Sequence, residues 1–397
     1  MKIRILLAIV FALILSGCVG PSDATGWSGS QKSQFLNILK TDKYMSICDQ
    51  QGLYQKVRES RNSQLMTKLL VEYSDNLANG CIVNKSGFSA YKQKVSTSDI
   101  QNKLRGGQSI EQILKPYVPE YRQFSALISK YKALQKSAAS PKALHSIRLN
   151  IERVKLMKPG LGKTYALVNI PEYKIRIIEN DRKALEMKVV VGKPKNQTPI
   201  FSENLRYIVL NPTWNVPNSI ARNEIIPKTL RNPGYLKSHR LVVRKDYNLA
   251  SPAQSFNPSL ARKYVGGKGP VPFKFIEVPS NRNALGRVKF IFPNHHSVYM
   301  HDTPAKSLFK RKTRAFSHGC VRLEKPKYML EYLSKNYTAH NYADVQAKYK
   351  SMKTHYLKVN KHLPVHTAYL TAYVDESGHL LTFGDVYGFD KRQRLNF

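Results

Sequence analysis

The sequence predicts an α+β fold, in which a helical N-terminal scaffold domain precedes a mainly β domain carrying a long insertion. Three observations predict it. Apolar residues recur at helical spacing through residues 31–158. Alternation with a period of two takes over from Tyr165. Residues 218–272 then show little pattern and hold many Asn, Pro, Gly and basic positions, as a long functional insertion would. A chain of 397 residues is long enough for two domains, and 42% hydrophobic with 23% charged residues marks it as globular. The formal net charge is +38. Such a balance favours an anionic partner, whether nucleic acid, lipid headgroups or a carboxylate-rich wall, unless the lysines merely solvate the surface. No RNA- or DNA-binding motif is present, so no nucleic acid is expected.

The elements follow in chain order. Met1-Lys2-Ile3-Arg4 is a short basic region, and Ile5 to Leu15 is an apolar run too short for a membrane span. Leu15-Ser16-Gly17-Cys18 resembles the lipobox of bacterial lipoprotein signals, which are cleaved just before the cysteine. The resemblance implies a leader over residues 1–17 and acyl chains on Cys18 that anchor the mature chain to a membrane. It also implies a periplasmic location, with Val19 in place of Asp pointing to the outer membrane. An ordinary signal peptide with a chance cysteine is the alternative. Gly20 to Ser30 are Gly- and Ser-rich, so residues 18–30 read as a flexible tether.

In the helical region, Phe35, Ile38 and Leu39 share one helix face, as do Leu65, Leu69 and Leu70. A further helix carries Tyr121, Phe124, Leu127, Ile128 and Tyr131. The last runs from Pro141 toward Met157, with Ser140 as its cap. The region reads equally as a scaffold that docks a partner and as a packing appendage.

Strands are expected over Ala166 to Pro171, Lys174 to Ile178, Met187 to Val191 and Leu205 to Leu210. Alternation returns over Asn283 to Phe290 and Val298 to His301, so Tyr299 and His301 project to the same face. Lys327 to Lys335 has helical spacing through Tyr328, Leu330, Tyr332 and Leu333. A strand over Val365 to Tyr373, a turn at Asp375 to Gly378 and a strand over Leu380 to Phe383 complete the chain. His295, His296, His301 and Asp302 show no familiar zinc spacing, and neither a metal nor a cofactor is expected.

Chemistry concentrates in Ser317-His318-Gly319-Cys320-Val321-Arg322 and in His301. A thiol attacks a carbonyl as thiolate, so it needs a base and local positive potential. Two imidazoles and a guanidinium supply these, and Gly319 permits a tight backbone path that turns N–H groups toward an oxyanion.

His301, then fifteen residues, then S-H-G-C-V-R resembles the active-site signature of the YkuD-type L,D-transpeptidases, cysteine enzymes that remodel bacterial peptidoglycan. Arg322 resembles the YcbB-like subgroup, since many members carry Asn there. Asn150-x-Glu152-Arg153, Val168-Asn169-Ile170-Pro171, Thr198-Pro199, Asn211 to Pro217, Asn283 to Phe290 and Asp385-Val386-Tyr387-Gly388-Phe389-Asp390 resemble blocks of that subgroup in the expected order. The resemblance covers roughly residues 149–390, and no motif of a glycan-binding module accompanies it.

The resemblance implies a catalytic domain over 159–397, with 218–272 as a lid capping the site. Cys320 is the implied nucleophile and His301 its general base, the ring being oriented by a backbone carbonyl; Asp302 is adjacent but points to the other face. Ser317, His318 and Gly319 shape the turn, and the N–H groups of Gly319 and Cys320 are the expected oxyanion donors. Arg322 is placed to hold a substrate carboxylate, and Tyr299 to hold substrate or oxyanion. Trp214 lines the cleft or is plain core. The implied partners are peptidoglycan stem peptides: a tetrapeptide loses D-Ala to form a thioester, which an amine of a neighbouring stem resolves into a cross-link between third-position diamino acids. Alternatives are an L,D-carboxypeptidase using water, attachment of an envelope protein to the wall, and a non-catalytic wall-binding lipoprotein. Cys48 and Cys81 then remain, to form a disulfide in an oxidising envelope or to stay as two buried thiols.

Overall fold

The computed structural model describes residues 23–48, 51–85, 87–88, 91–157 and 163–395, so Cys18 and the proposed leader lie outside the described residues. One compact unit holds the described residues within Met1–Cys81 and Gln93–Val118; a second holds those within Ile82–Lys92 and Pro119–Asn396.

The first unit is helical: α1 (Gly29–Thr41), α2 (Gln51–Ser60), α3 (Ser63–Asn79), α4 (Thr97–Arg105) and α5 (Ile110–Leu114). Ser28 caps α1 by accepting from the Gln31 N–H at 3.2 Å, while the Gln31 side chain accepts from the Ser28 N–H at 2.8 Å. Phe35, Ile38 and Leu39 are buried as the spacing requires. On α3, Leu69 and Leu70 are buried as expected, while Met66 takes the buried place expected of Leu65, which is only partly covered. Residues 23–30 are not a loose tether. Trp27 is buried, its indole N–H donates to Thr67 Oγ1 at 2.9 Å, and its ring lies 5.8 Å from that of Phe35. An apolar ring of that size gains more from burial than a short linker gains from freedom. Of the two readings for Cys48 and Cys81, the structure holds the disulfide, with Cα atoms 6.0 Å apart.

The second unit begins earlier than the switch to strands suggested, at Pro119 rather than at 159. Helices α6 (Arg122–Lys136) and α7 (Pro141–Lys155) belong to it. Their polar side chains explain why. Gln123 exchanges hydrogen bonds with the Val374 main chain at 2.7 and 2.9 Å, and Asn150 accepts from the Thr371 N–H at 2.8 Å. The change of periodicity thus marks a change of element type and not the edge of a unit. Ser140 caps α7, with Pro141 in its first turn, as expected.

The strands begin with β1 (Tyr165–Asn169), β2 (Lys174–Glu179), β3 (Arg182–Gly192), β4 (Phe201–Asn204) and β5 (Tyr207–Leu210). The insertion contributes β7 (Leu241–Arg244), and β6 (Trp214–Asn215) and β8 (Lys274–Glu277) bracket it. Then come β9 (Val288–Ile291), β10 (Met300–His301), β11 (Ala315–Ser317), β12 (Val321–Leu323) and β13 (His355–Lys358). The chain ends with β14 (Pro364–Ala368), β15 (Ala372–Val374) and β16 (Leu380–Thr382). The main sheet runs β13-β5-β9-β10-β12-β3-β2-β1-β14-β4, with β11 beside β3. Val168, Ile175, Val189, Phe290, Val321 and Leu323 are among its buried core residues. The helix Pro326–Tyr337 presents Met329, Leu330 and Leu333 to that core and leaves Tyr328 exposed.

Two expectations change here. The single strand expected over 365–373 is two, broken where Asn169 and Asn150 accept from the Leu370 and Thr371 N–H groups at 2.9 and 2.8 Å. Those side chains take the donors a ladder would have used. The insertion is also far from patternless. Its strand β7 joins the bracketing strands in the order β6-β8-β7, its helical stretch Asn218–Arg231 passes through a π-helical turn at Ala221–Ile225, and Ile225, Ile226 and Val243 form a separate core with Phe273 and Phe275 of the bracketing segment. Elements this short escape a periodicity window of about 11–18 residues.

Candidate active site

The sheet builds the site as one row of side chains. His301 on β10 pairs with Lys289 on β9 and, on its other side, with Arg322 on β12. Laterally paired residues share a face, and Val288, Phe290, Met300, Val321 and Leu323 occupy the core face. Lys289, His301 and Arg322 therefore face the other way, into a cavity of about 540 Å³ that Trp214, Tyr299 and Cys320 also line. Trp214 both lines this cavity and packs, partly buried, against the apolar cluster of the insertion.

Cys320 precedes β12 directly, and its backbone path depends on Gly319, whose φ of +118° is costly for any residue with a Cβ. Ser317 closes the turn. Its hydroxyl donates to the Cys320 carbonyl at 2.6 Å and accepts from the Gly319 N–H at 3.1 Å. The Gly319 N–H is therefore engaged and does not fit the oxyanion role expected of it, whereas the Cys320 N–H makes no hydrogen bond among the described residues. His318 turns to the insertion, where its Nε2 lies 2.7 Å from Glu224 Oε1 and 3.3 Å from Lys193 Nζ. Partial burial holds its pKa below the ordinary histidine value in spite of Glu224.

The loop is braced from behind. Thr198 Oγ1 donates to the Gly319 carbonyl at 2.7 Å and accepts from the Gly192 N–H at 2.9 Å. The Tyr387 hydroxyl accepts from the Thr198 N–H at 3.0 Å and donates to the Gly192 carbonyl at 2.7 Å. Thr198 and Tyr387 stood in recognisable sequence blocks, but only the fold joins them to the cysteine loop. Thr198→Val leaves the Gly192 N–H and the Gly319 carbonyl unpaired in a buried place, at about 1–3 kcal/mol. It is expected to slow alkylation of Cys320 by iodoacetamide several-fold while Thr198→Ser does not; equal rates in all three proteins would show that the brace does not position the thiol.

His301 is buried, and its Nδ1–H donates to the Asp302 carbonyl at 2.5 Å, which leaves Nε2 as the unprotonated nitrogen of the neutral ring. The Asp302 carboxylate is occupied elsewhere, by the Arg287 and Thr303 N–H groups and by Lys306. Burial first, then the Arg322 and Lys289 charges on either side, bring the His301 pKa down to about 3, against a weaker pull from the Asp302 and Leu285 carbonyls. The ring is neutral across the physiological range. Tyr299 does lie on the same face, its ring 5.6 Å from that of His301 and edge-on to it.

Burial raises the Cys320 thiol above its ordinary pKa, although the Tyr299 main chain and phenol, Lys289 and Arg322 all favour the thiolate. The sulfur lies 3.9 Å from the Ser297 carbonyl; no hydrogen bond joins it to His301 among the described residues, and the two side chains line the same cavity. Lys289 and Glu224 carried no role in the sequence reading. The one signal for Lys289 was its place as the charged member of Val288-Lys289-Phe290, where alternation sends it away from the core.

A neutral buried imidazole, a thiol and two cations around one cavity suit acyl transfer from an anionic donor. The family model agrees. Residues 163–345 match the family model YkuD, the L,D-transpeptidase catalytic domain. A curated Haemophilus influenzae protein named as a candidate L,D-transpeptidase is 32% identical over 231 residues, or 57% of this chain and 45% of that protein. The chain thus spans less than half the length of this curated relative. Among solved structures, an L,D-transpeptidase from Mycobacterium smegmatis aligns at 14% identity and a TM-score of 0.23, over 52% of this chain and 58% of its own. The catalytic domain of an E. faecium L,D-transpeptidase aligns at 14% identity and a TM-score of 0.20, over 52% of this chain and 99% of its own. Residues 163–345 of this chain are thus similar to the YkuD family of L,D-transpeptidase catalytic domains.

Proposed function

We propose that this chain is an L,D-transpeptidase that cross-links peptidoglycan stems through a thioester on Cys320. The observation that carries the reading is the row Lys289–His301–Arg322, which sets an unprotonated buried imidazole and the thiol on one cation-lined cavity. His301 Nε2 takes the thiol proton as sulfur attacks the carbonyl carbon that links the third-position diamino acid to D-Ala. The oxyanion forms beside the Cys320 N–H. Its collapse breaks the C–N bond, the imidazolium returns the proton to the leaving amine, and D-Ala departs. An amine of a second stem attacks the thioester, gives its proton to His301 and leaves with the acyl group, and the protonated ring returns that proton to the sulfur.

A neutral base suits this sequence, because a buried imidazole between two cations acquires charge only as the sulfur loses its proton. The chain's charge of +38 suits stems rich in carboxylates. Incubation with purified disaccharide-tetrapeptide, read by mass, tests the reading. Released D-Ala with cross-linked dimers supports it, tripeptide alone makes the enzyme a carboxypeptidase, and unaltered substrate refutes acyl transfer.

The lipobox supports a further part of the reading, that Cys18 carries lipid and holds the domain at the outer membrane, facing the periplasm. Metabolic labelling with an alkyne fatty acid is expected to mark the natural chain and not Cys18→Ser; label retained in the variant would remove Cys18 as the anchor.

A further inference from the structure

Lys289 is a cation whose situation the fold does not explain. Its neighbours Val288 and Phe290 are fully buried on the core side of β9, so its own side chain is given to the cavity. The ammonium lies 3.8 Å from the centroid of the Tyr299 ring, a face that attracts a cation without neutralising it. Burial pushes its pKa down, and the charge that opposes this is the Cys320 sulfur, not a carboxylate. No ion pair joins Lys289 to an Asp or Glu among the described residues. Across His301, Arg322 has a buried Nε without a hydrogen-bond partner, although Glu224 as well as the Cys320 sulfur acts on its charge. Glu224, the acidic residue lining the cavity, is engaged with His318 at 2.7 Å and Lys228 at 3.8 Å.

A partly buried cation without a counter-charge is disfavoured, and such a group persists where a ligand completes it. We propose that Lys289 binds a carboxylate of the acyl donor, opposite Arg322 across the imidazole, and so restricts the enzyme to donors in which that carboxylate is free. This rests on the acyl-transfer reading above and adds to it the residue that selects the donor. Two carboxylates of a stem peptide lie near the bond to be broken: the terminal one on the departing D-Ala and the side-chain one on the diamino acid. Either would face a primary ammonium as a charge-assisted hydrogen-bond acceptor. A bound carboxylate would also screen the cations that keep His301 unprotonated, so the base would strengthen once the donor is seated.

The test uses the full chain in a Cys320→Ala background, where binding is measured by calorimetry without turnover. Three tetrapeptide donors are compared: one with both carboxylates free, one amidated on the diamino-acid side chain and one amidated at the D-Ala terminus. One of the two amidated donors is expected to bind about tenfold to a hundredfold more weakly than the free donor, which identifies the carboxylate held. Adding Lys289→Met should abolish that ratio by weakening only the donors that retain this carboxylate, while Lys289→Arg should preserve it. A Lys289→Met protein that keeps the original ratio, or a parent that binds all three donors equally, overturns the proposal. In the active protein, Lys289→Met is expected to raise KM for the free donor far more than it lowers kcat. A shift in the pH midpoint of Cys320 alkylation with donor discrimination unchanged would assign Lys289 to the sulfur instead. Because binding is read apart from turnover, a failure of the acyl-transfer reading shows in the product analysis, and a failure of this inference in the calorimetry.

Discussion

Cys320→Ala is expected to release no D-Ala and to form no dimer from disaccharide-tetrapeptide, with its melting temperature within a few degrees of the parent. In the proposed mechanism the thiol is the group through which the acyl chain becomes covalent, and no other side chain placed on the cavity is a comparable nucleophile. His301→Gln removes the proton acceptor and not the sulfur, so a loss of about 10²–10⁴ is expected. The double variant should be no slower than Cys320→Ala, since the two groups serve one step. Muropeptide products unchanged in Cys320→Ala would dismiss the site. The low His301 pKa gives the reaction a distinctive acid limb. With the ring held near 3 by burial, Arg322 and Lys289, kcat/KM should not fall with acid near pH 6.5, as it would for an ordinary histidine, but well below it. Stability moves the other way in the same window. The unfolded chain takes up a proton on this residue from about pH 6.5 downward while the fold does not until about 3, so folding is progressively disfavoured between those values. An acid limb centred near 6.5 would mean that the flanking charges do not act on the ring.

Arg153→Ala should destabilise the second unit by about 3–5 kcal/mol, as breaking a buried ion pair from one side does. The guanidinium is fully enclosed. It meets Asp390 at 2.7 Å, donates to Gln393 Oε1 at 2.9 Å and to Thr371 Oγ1 at 3.2 Å, and stacks 5.1 Å from the Tyr369 ring centroid. Truncation removes all four contacts and leaves a carboxylate that is still 30% exposed, which places the expected loss nearer the lower figure. Asp390→Asn should cost less, because the amide can still accept one hydrogen bond. A shift in urea midpoint smaller than that of an ordinary surface substitution would refute the role. The consequence reaches the site, for Asp390 lies three residues beyond Tyr387, and the same Tyr369 whose ring carries Arg153 also donates its hydroxyl to Asp385 at 2.6 Å. The two ends of the resembling region, Asn150-x-Glu152-Arg153 and Asp385 to Asp390, thus hold each other, and through Tyr387 and Thr198 they hold the cysteine loop.

What could be read from the sequence was local. Phe35, Ile38 and Leu39 marked a helix face, Tyr299 and His301 a strand face, and Ser317 to Cys320 a reactive turn, because each pattern is complete within a few residues. The row Lys289–His301–Arg322 was not readable, since it depends on the register of three strands from separate stretches of chain. Gly319 shows the same limit at smaller scale. Its positive φ follows from being glycine, but the capture of its N–H by Ser317 depends on how the turn closes. The placement of α6 and α7 with the sheet rests on Gln123 and Asn150, polar residues that apolar periodicity overlooks.

The separate apolar centre of the insertion has a mechanical consequence. If the segment acts as the lid the sequence resemblance implies, an interior of its own, through Phe273, Phe275 and their neighbours, would let it move as one piece without melting its strands. What latches it to the reactive turn is the half-exposed Glu224–His318 pair, a contact that water readily replaces. Admitting the proposed substrate would then demand only bending where the chain enters and leaves that segment, with the sheet beneath it unmoved.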